Sequence, residues 1–72
     1  MSDSETEIMQ YFRRYRVEAR QMLCFDTGPA KGRSSKFHAA MNSLIGRGLV
    51  VAEQHRGAYS LTPRGYKVSQ TA

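Results

Sequence analysis

The sequence predicts an α+β fold, a helical core with a short β-hairpin at its edge. Three observations predict it. Apolar residues recur at three- and four-residue spacing in two separate stretches, Ile8 to Leu23 and Phe37 to Leu44. The runs Leu49–Gln54 and Ala58–Leu61 are β-prone and flank His55-Arg56-Gly57, which holds the glycine a tight turn needs. Thr62-Pro63 then opens a last helix, with proline at a position where no amide donor is wasted. The predicted order is α-(turn)-α-β-β-α.

The first helix is expected from about Ser4 to Phe25. Ser4 with Glu7 forms a capping-box pattern, and acids in the first turn suit the helix dipole. Ile8, Phe12, Tyr15, Ala19, Met22 and Leu23 define its apolar face. Cys24 at its apolar end reads as core. Asp26-Thr27-Gly28-Pro29 stops it, and Asp26 to Arg33 reads as an irregular connection. The second helix is expected from Ser34 or Ser35 to Arg47, started by a serine and closed by Gly48. Phe37, Ala40, Met41 and Leu44 lie on one side of it. Ser35, Ala39, Asn42, Ser43 and Gly46 lie on the other, with Lys36 and His38 at the margins. A two-stranded hairpin is barely stable alone, so it must pack on the helices, with Leu49, Val51, Tyr59 and Leu61 as the expected inward residues. The last helix is expected to reach about Ser69.

With 72 residues the chain is one domain, residues 1–72, with fraying expected at 1–3 and 70–72. Its one cysteine leaves no internal disulfide, so packing or a partner chain must supply stability. The longest apolar runs are four residues, far short of a transmembrane helix. The acidic start lacks the blocks of a signal peptide, so a reduced, cytoplasmic setting and no membrane partner are expected. From Ile8 onward eleven basic residues oppose three acids, a formal +8 within a chain of net +5. Such an excess attracts polyanions.

Two motifs carry a resemblance. Leu44-Ile45-Gly46-Arg47-Gly48-Leu49-Val50 resembles the join between recognition helix and first wing strand in the winged helix-turn-helix family, in its MarR- and PadR-like branches. Leu61-Thr62-Pro63-Arg64-Gly65 resembles the join between second wing strand and following helix. The chain departs from the family between Asp26 and Ser34, where a full helix is usual and only a short, Gly- and Pro-containing segment is available. The resemblance implies a small winged helix that binds double-stranded DNA as a bacterial or phage transcription regulator. It implies that Ser35, Lys36, His38, Ala39 and Asn42 meet base edges in the major groove. Their side chains suit that work: Asn pairs with adenine, Lys with guanine, and the Ala methyl touches thymine. Lys31 and Arg33, in the loop before that helix, and Arg56, at the wing tip, are the expected phosphate contacts. Arg64 and Lys67, on the last helix, are further phosphate candidates but read first as solvated surface charges.

Other partners fit parts of the same pattern. The small-residue face of the second helix permits close approach by a protein helix as readily as by DNA. Arg13, Arg16 and Arg20, read as one stripe on the first helix, suit a DNA backbone or the acids of a second subunit, and a homodimer through that helix is expected. The alternative function is a small interaction protein or inhibitor that keeps the scaffold and binds a host protein complex. Catalysis is not expected: Cys24 is a lone thiol, His38 and His55 are far apart in sequence, and Gly28-Pro29-Ala30-Lys31-Gly32 lacks the Gly-Lys-Ser/Thr ending of a phosphate loop. No metal ligand set and no cofactor motif is present in the sequence.

Overall fold

The structure, a computed structural model, describes residues 1–25, 35–55 and 57–72. Six elements follow in order: α1 (Asp3–Arg14), β1 (Met22–Cys24), α2 (Ser35–Gly46), β2 (Val50–Ala52), β3 (Ala58–Leu61) and α3 (Pro63–Thr71). The class is α+β, compatible with a small winged-helix-like fold, and the hairpin gains a third strand. Both outer strands pair antiparallel with β3, giving the order β1-β3-β2. Ser60 lies opposite Met22 on one side and Val51 on the other.

α1 corrects the expected long helix. It starts at Asp3, and its capping box is two residues earlier than expected, Ser2 and Glu5 rather than Ser4 and Glu7. It stops at Arg14 because the next residues close it. The amide of Arg16 donates to the Arg13 carbonyl at 3.0 Å and that of Val17 to the Phe12 carbonyl at 3.0 Å. This pair of bonds is a Schellman closure, and it requires the left-handed backbone that Arg16 adopts, with φ +54°. Val17 and Phe12, both buried, make the hydrophobic contact that goes with it. A turn at Glu18–Gln21 follows, closed by the Gln21 amide on the Glu18 carbonyl at 3.1 Å, with Arg20 at φ +69°. The chain then enters β1. The expected apolar face therefore divides: Ile8 and Phe12 are buried, whereas Tyr15 and Met22 are exposed. Cys24 is exposed, not core, because alternation along β1 turns Leu23 toward the core and Cys24 away from it. Arg16 and Arg20 lie beyond the helix, so no stripe with Arg13 exists on it.

α2 ends by the same device with the usual residue. Gly48, at φ +75°, donates to Ile45, and Leu49 donates to Leu44, both at 3.0 Å. β2 is one residue out of the expected register: Val50 is buried and Val51 exposed. α3 runs two residues past Ser69 and is capped as expected by Thr62, whose hydroxyl accepts from the Gly65 amide at 2.9 Å.

The core joins α1, α2 and the inner sheet face through Met9, Phe12, Met41, Leu44, Val50 and Leu61. Phe25, just after β1, is its hub. Its ring centroid lies 4.8 Å from Tyr11, 5.3 Å from Phe12, and 5.7 Å from both Phe37 and Tyr59. One ring thus touches α1, α2 and β3, and aromatic contacts of this kind add to the area they bury.

Two contacts lock the helices at their ends. Glu5 Oε1 accepts from the Ser2 amide at 2.8 Å. Its other oxygen, Oε2, is buried 3.9 Å from Nε of Arg47 at the end of α2. The Ser2 amide first, and the Ser43 hydroxyl second, hold the Glu5 carboxyl at about 2 against an ordinary 4.5, with the Arg47 charge a smaller contribution. At the other lock, Gly65 lies so close to Leu49 that an added Cβ would overlap the Leu49 carbonyl oxygen and stand 2.8 Å from its carbon.

Gly65→Ala must push α3 off the Leu49 backbone and should lower unfolding free energy by about 2–3 kcal/mol in urea titration. Gly46→Ala meets nothing within 4 Å and should be neutral or stabilising. Arg16→Gly should stabilise by about 0.5–1 kcal/mol, because glycine enters the left-handed region without the Cβ clash. For Glu5 the folded-state value is depressed, so its contribution is complete above pH 4.5 and disappears as pH falls toward 2. Stability measured across that window should fall in the parent protein and fall less in Glu5→Gln, which keeps the cap but not the charge.

Candidate nucleic-acid interface

α2 is amphipathic along its full length, and that decides which residues it offers. Ala40, Met41 and Leu44 are buried, and Phe37 is half-buried against Phe25. The opposite side carries Ser35, Lys36, His38, Ala39, Asn42, Ser43 and Gly46, all exposed. All five base-contact candidates named from the sequence therefore share one exposed stripe. Among the described residues, the side chains of Ser35, Lys36 and Asn42 have no hydrogen bond or ion pair. His38 rests its ring edge-on against Phe37 at 5.4 Å, which ties it to the core beneath.

α2 is held at both ends. Phe37 seats its first turn on the aromatic hub. At its far end, the Thr62 hydroxyl donates to the Gly48 carbonyl at 2.7 Å and the Thr62 amide to the Leu49 carbonyl at 3.1 Å. These carbonyls belong to the residues that carry the chain from α2 into β2. The hairpin springs from the same point, where Val50 pairs with Leu61. Its turn is closed by the Glu53 amide on the Ala58 carbonyl at 2.9 Å, and Gly57 takes φ +82°. The Ser60 hydroxyl donates to the Glu53 carboxylate across the hairpin.

Lys31, Arg33 and Arg56, the expected phosphate contacts, lie outside the described residues, as does the connection 26–34. The cations that are described do not all gather beside α2. Lys36 lines an open groove with Ala39, Ala40 and Ser43, and the opposite wall is the start of α1, Ser2 to Glu5. The acidic turn of α1 thus flanks one side of the α2 stripe, with Asp3 exposed in it. Arg47 and Arg64 share a depression with Leu49 and Val68. Arg13 and Arg16 share another with Glu18, Tyr66 and Gln70. Neither pairing is visible in the sequence, because each joins residues through the packing of α3 or through the corner after α1. Arg14 makes no ion pair with Glu18; among the described residues the one ion pair is Arg47–Glu5.

Among the described residues no group of His, Cys, Asp and Glu is arranged to hold a metal ion, and no helix is long and apolar enough to cross a membrane. Comparison with family models, with curated proteins and with solved structures returned no match to this chain.

Proposed function

We propose that this chain is a winged-helix protein that binds double-stranded DNA and regulates transcription in a bacterium or phage-infected cell, in the cytoplasm. The observation that carries the proposal is the α2 stripe. Five side chains able to read or brush base edges lie exposed on one side of a helix whose other side is fixed in the core. The helix leads into a hairpin through three residues, Arg47, Gly48 and Leu49, so a groove-reading element and a neighbouring arm are closely joined. The net charge of +5 supplies attraction to phosphate at no cost in specificity. In the same proposal two copies pair through α1 and occupy a paired site.

One observation favours a second reading. Asp3 flanks the α2 stripe, and a carboxylate there repels a phosphate backbone. A protein partner, such as a host complex inhibited by this scaffold, would tolerate that acid.

Fluorescence anisotropy on random and selected duplexes at two salt concentrations separates the two. For DNA binding with ~4–6 phosphates neutralised, the log–log salt slope should be about −4 to −5. Asn42→Ala should relax preference at one base position by about 1–3 kcal/mol, and Lys36→Ala should weaken selected sites in the same way. Absence of binding at low salt would refute the DNA reading and leave the protein-partner reading standing.

A further inference from the structure

Every described position that needs a left-handed backbone is filled by glycine or arginine. Gly48 and Gly57 take φ +75° and +82°, and Arg16 and Arg20 take +54° and +69°. Glycine is the residue that such positions favour, since it has no Cβ to clash. Arginine gains nothing from that backbone, so its presence points to its side chain.

The two strained arginines sit in one corner of the molecule. Arg13-Arg14-Tyr15-Arg16 closes α1, and Arg20 occupies the next turn, so the eight residues from Arg13 to Arg20 carry four arginines and one acid. Arg13, Arg14, Arg16 and Arg20 are all exposed. Arg14, Arg16 and Arg20 have no side-chain hydrogen bond or ion pair among the described residues, and Arg13 reaches only the Ala72 carbonyl at 3.4 Å. Arg13 and Arg16 open on one groove, with Glu18 at its rim and Tyr66 and Gln70 of α3 as its wall. Tyr15, 55% exposed, lies between Arg14 and Arg16 in the sequence and sets its ring edge-on against Tyr11 at 4.9 Å.

We propose that this corner is a second nucleic-acid contact, in which Arg16 and Arg20, with Arg13 and Arg14 beside them, hold backbone phosphates and Tyr15 lies against a sugar or base. The proposal does not depend on α2 reading the major groove. Guanidinium groups match phosphate oxygens two at a time, and all four cations here are arginine rather than lysine. An exposed tyrosine among arginines is the composition of surfaces that track nucleic-acid strands. An acidic protein partner is the competing occupant, and the test below separates the two.

The test uses a variant that removes the charges without harming the backbone. Arg16→Gly combined with Arg20→Gly keeps both left-handed positions and should melt no lower than the parent. Binding to a random 20-base-pair duplex and to a random single strand is then measured by anisotropy against salt. Loss of about two phosphate contacts should flatten the salt slope by about 1.8 on duplex and weaken binding at least tenfold near 0.1 M salt. Tyr15→Ala should weaken single-strand binding more than duplex binding.

An Arg16→Gly, Arg20→Gly variant that binds both ligands as the parent does would overturn the proposal. So would a parent protein that ignores nucleic acid and binds polyglutamate. Lys36→Ala with Asn42→Ala, run in parallel, keeps the two ideas apart. Loss of binding there alone leaves the α2 reading intact and removes the corner. Loss in the arginine variant alone does the reverse.

Discussion

The fold turns on a contact between two short backbone segments, Gly48-Leu49 and Thr62 to Gly65. Gly48 bends the chain out of α2, and this leaves the carbonyls of Gly48 and Leu49 facing Thr62. One threonine hydroxyl donates to Gly48 and accepts from Gly65, so it ties the residue that turns the chain out of α2 to the start of α3. The Leu49 carbonyl lies against Gly65, where any side chain would intrude. Four elements meet there: α2 ends, α3 begins, and β2 and β3 come together at the Val50–Leu61 pair. The angle between α2 and the hairpin is fixed by this contact more than by the core, since apolar packing alone tolerates rearrangement.

Both halves of that contact were legible in the sequence, and their union was not. Gly48 has a local reason, a helix stop, and Thr62-Pro63 has another, a helix start. Gly65 has none within its own segment. Its small size answers a carbonyl sixteen positions away, and no periodicity encodes that. α2 and its exposed stripe were legible because apolar and polar residues at helical spacing are a local signal, and α3 was legible from its Thr62-Pro63 start. The first helix was misjudged for the complementary reason. Both helices close by the same pair of hydrogen bonds, but glycine announces the stop in α2 and arginine conceals it in α1. Apolar spacing continues through Ala19 and Met22, so the sequence looks helical where the chain has already turned. Three residues of β1 are too few to show a strand's alternation, and the exposure of Cys24 follows from that hidden strand.

Charge was legible as a sum and not as a distribution. The excess of cations after Ile8 is a property of the sequence, but folding divides it. Arg47 goes to the buried Glu5 and to the depression it shares with Arg64. Lys36 stays beside the α2 stripe, opposite the acidic start of α1. The arginines after Phe12 collect at the far end of α1, about 18 Å from its start for a helix of twelve residues. The α2 stripe therefore supplies shape and hydrogen-bonding groups, and most described positive charge lies elsewhere on the surface.

The position of those arginines is only partly explained by the helix they follow. Cations at a helix C-terminus interact favourably with its dipole, by about 0.3–1 kcal/mol each at an exposed site. That accounts for Arg13 and Arg14, which occupy the last turn with ordinary backbone. For Arg16 the same benefit is set against about 1–2 kcal/mol for a left-handed residue with a Cβ, and the penalty is the larger. Arg20 lies beyond the reach of the dipole and carries the penalty without the benefit. Folding alone would therefore favour glycine at both positions. The strain is local to a corner whose guanidinium groups are exposed, as the proposed phosphate contact requires.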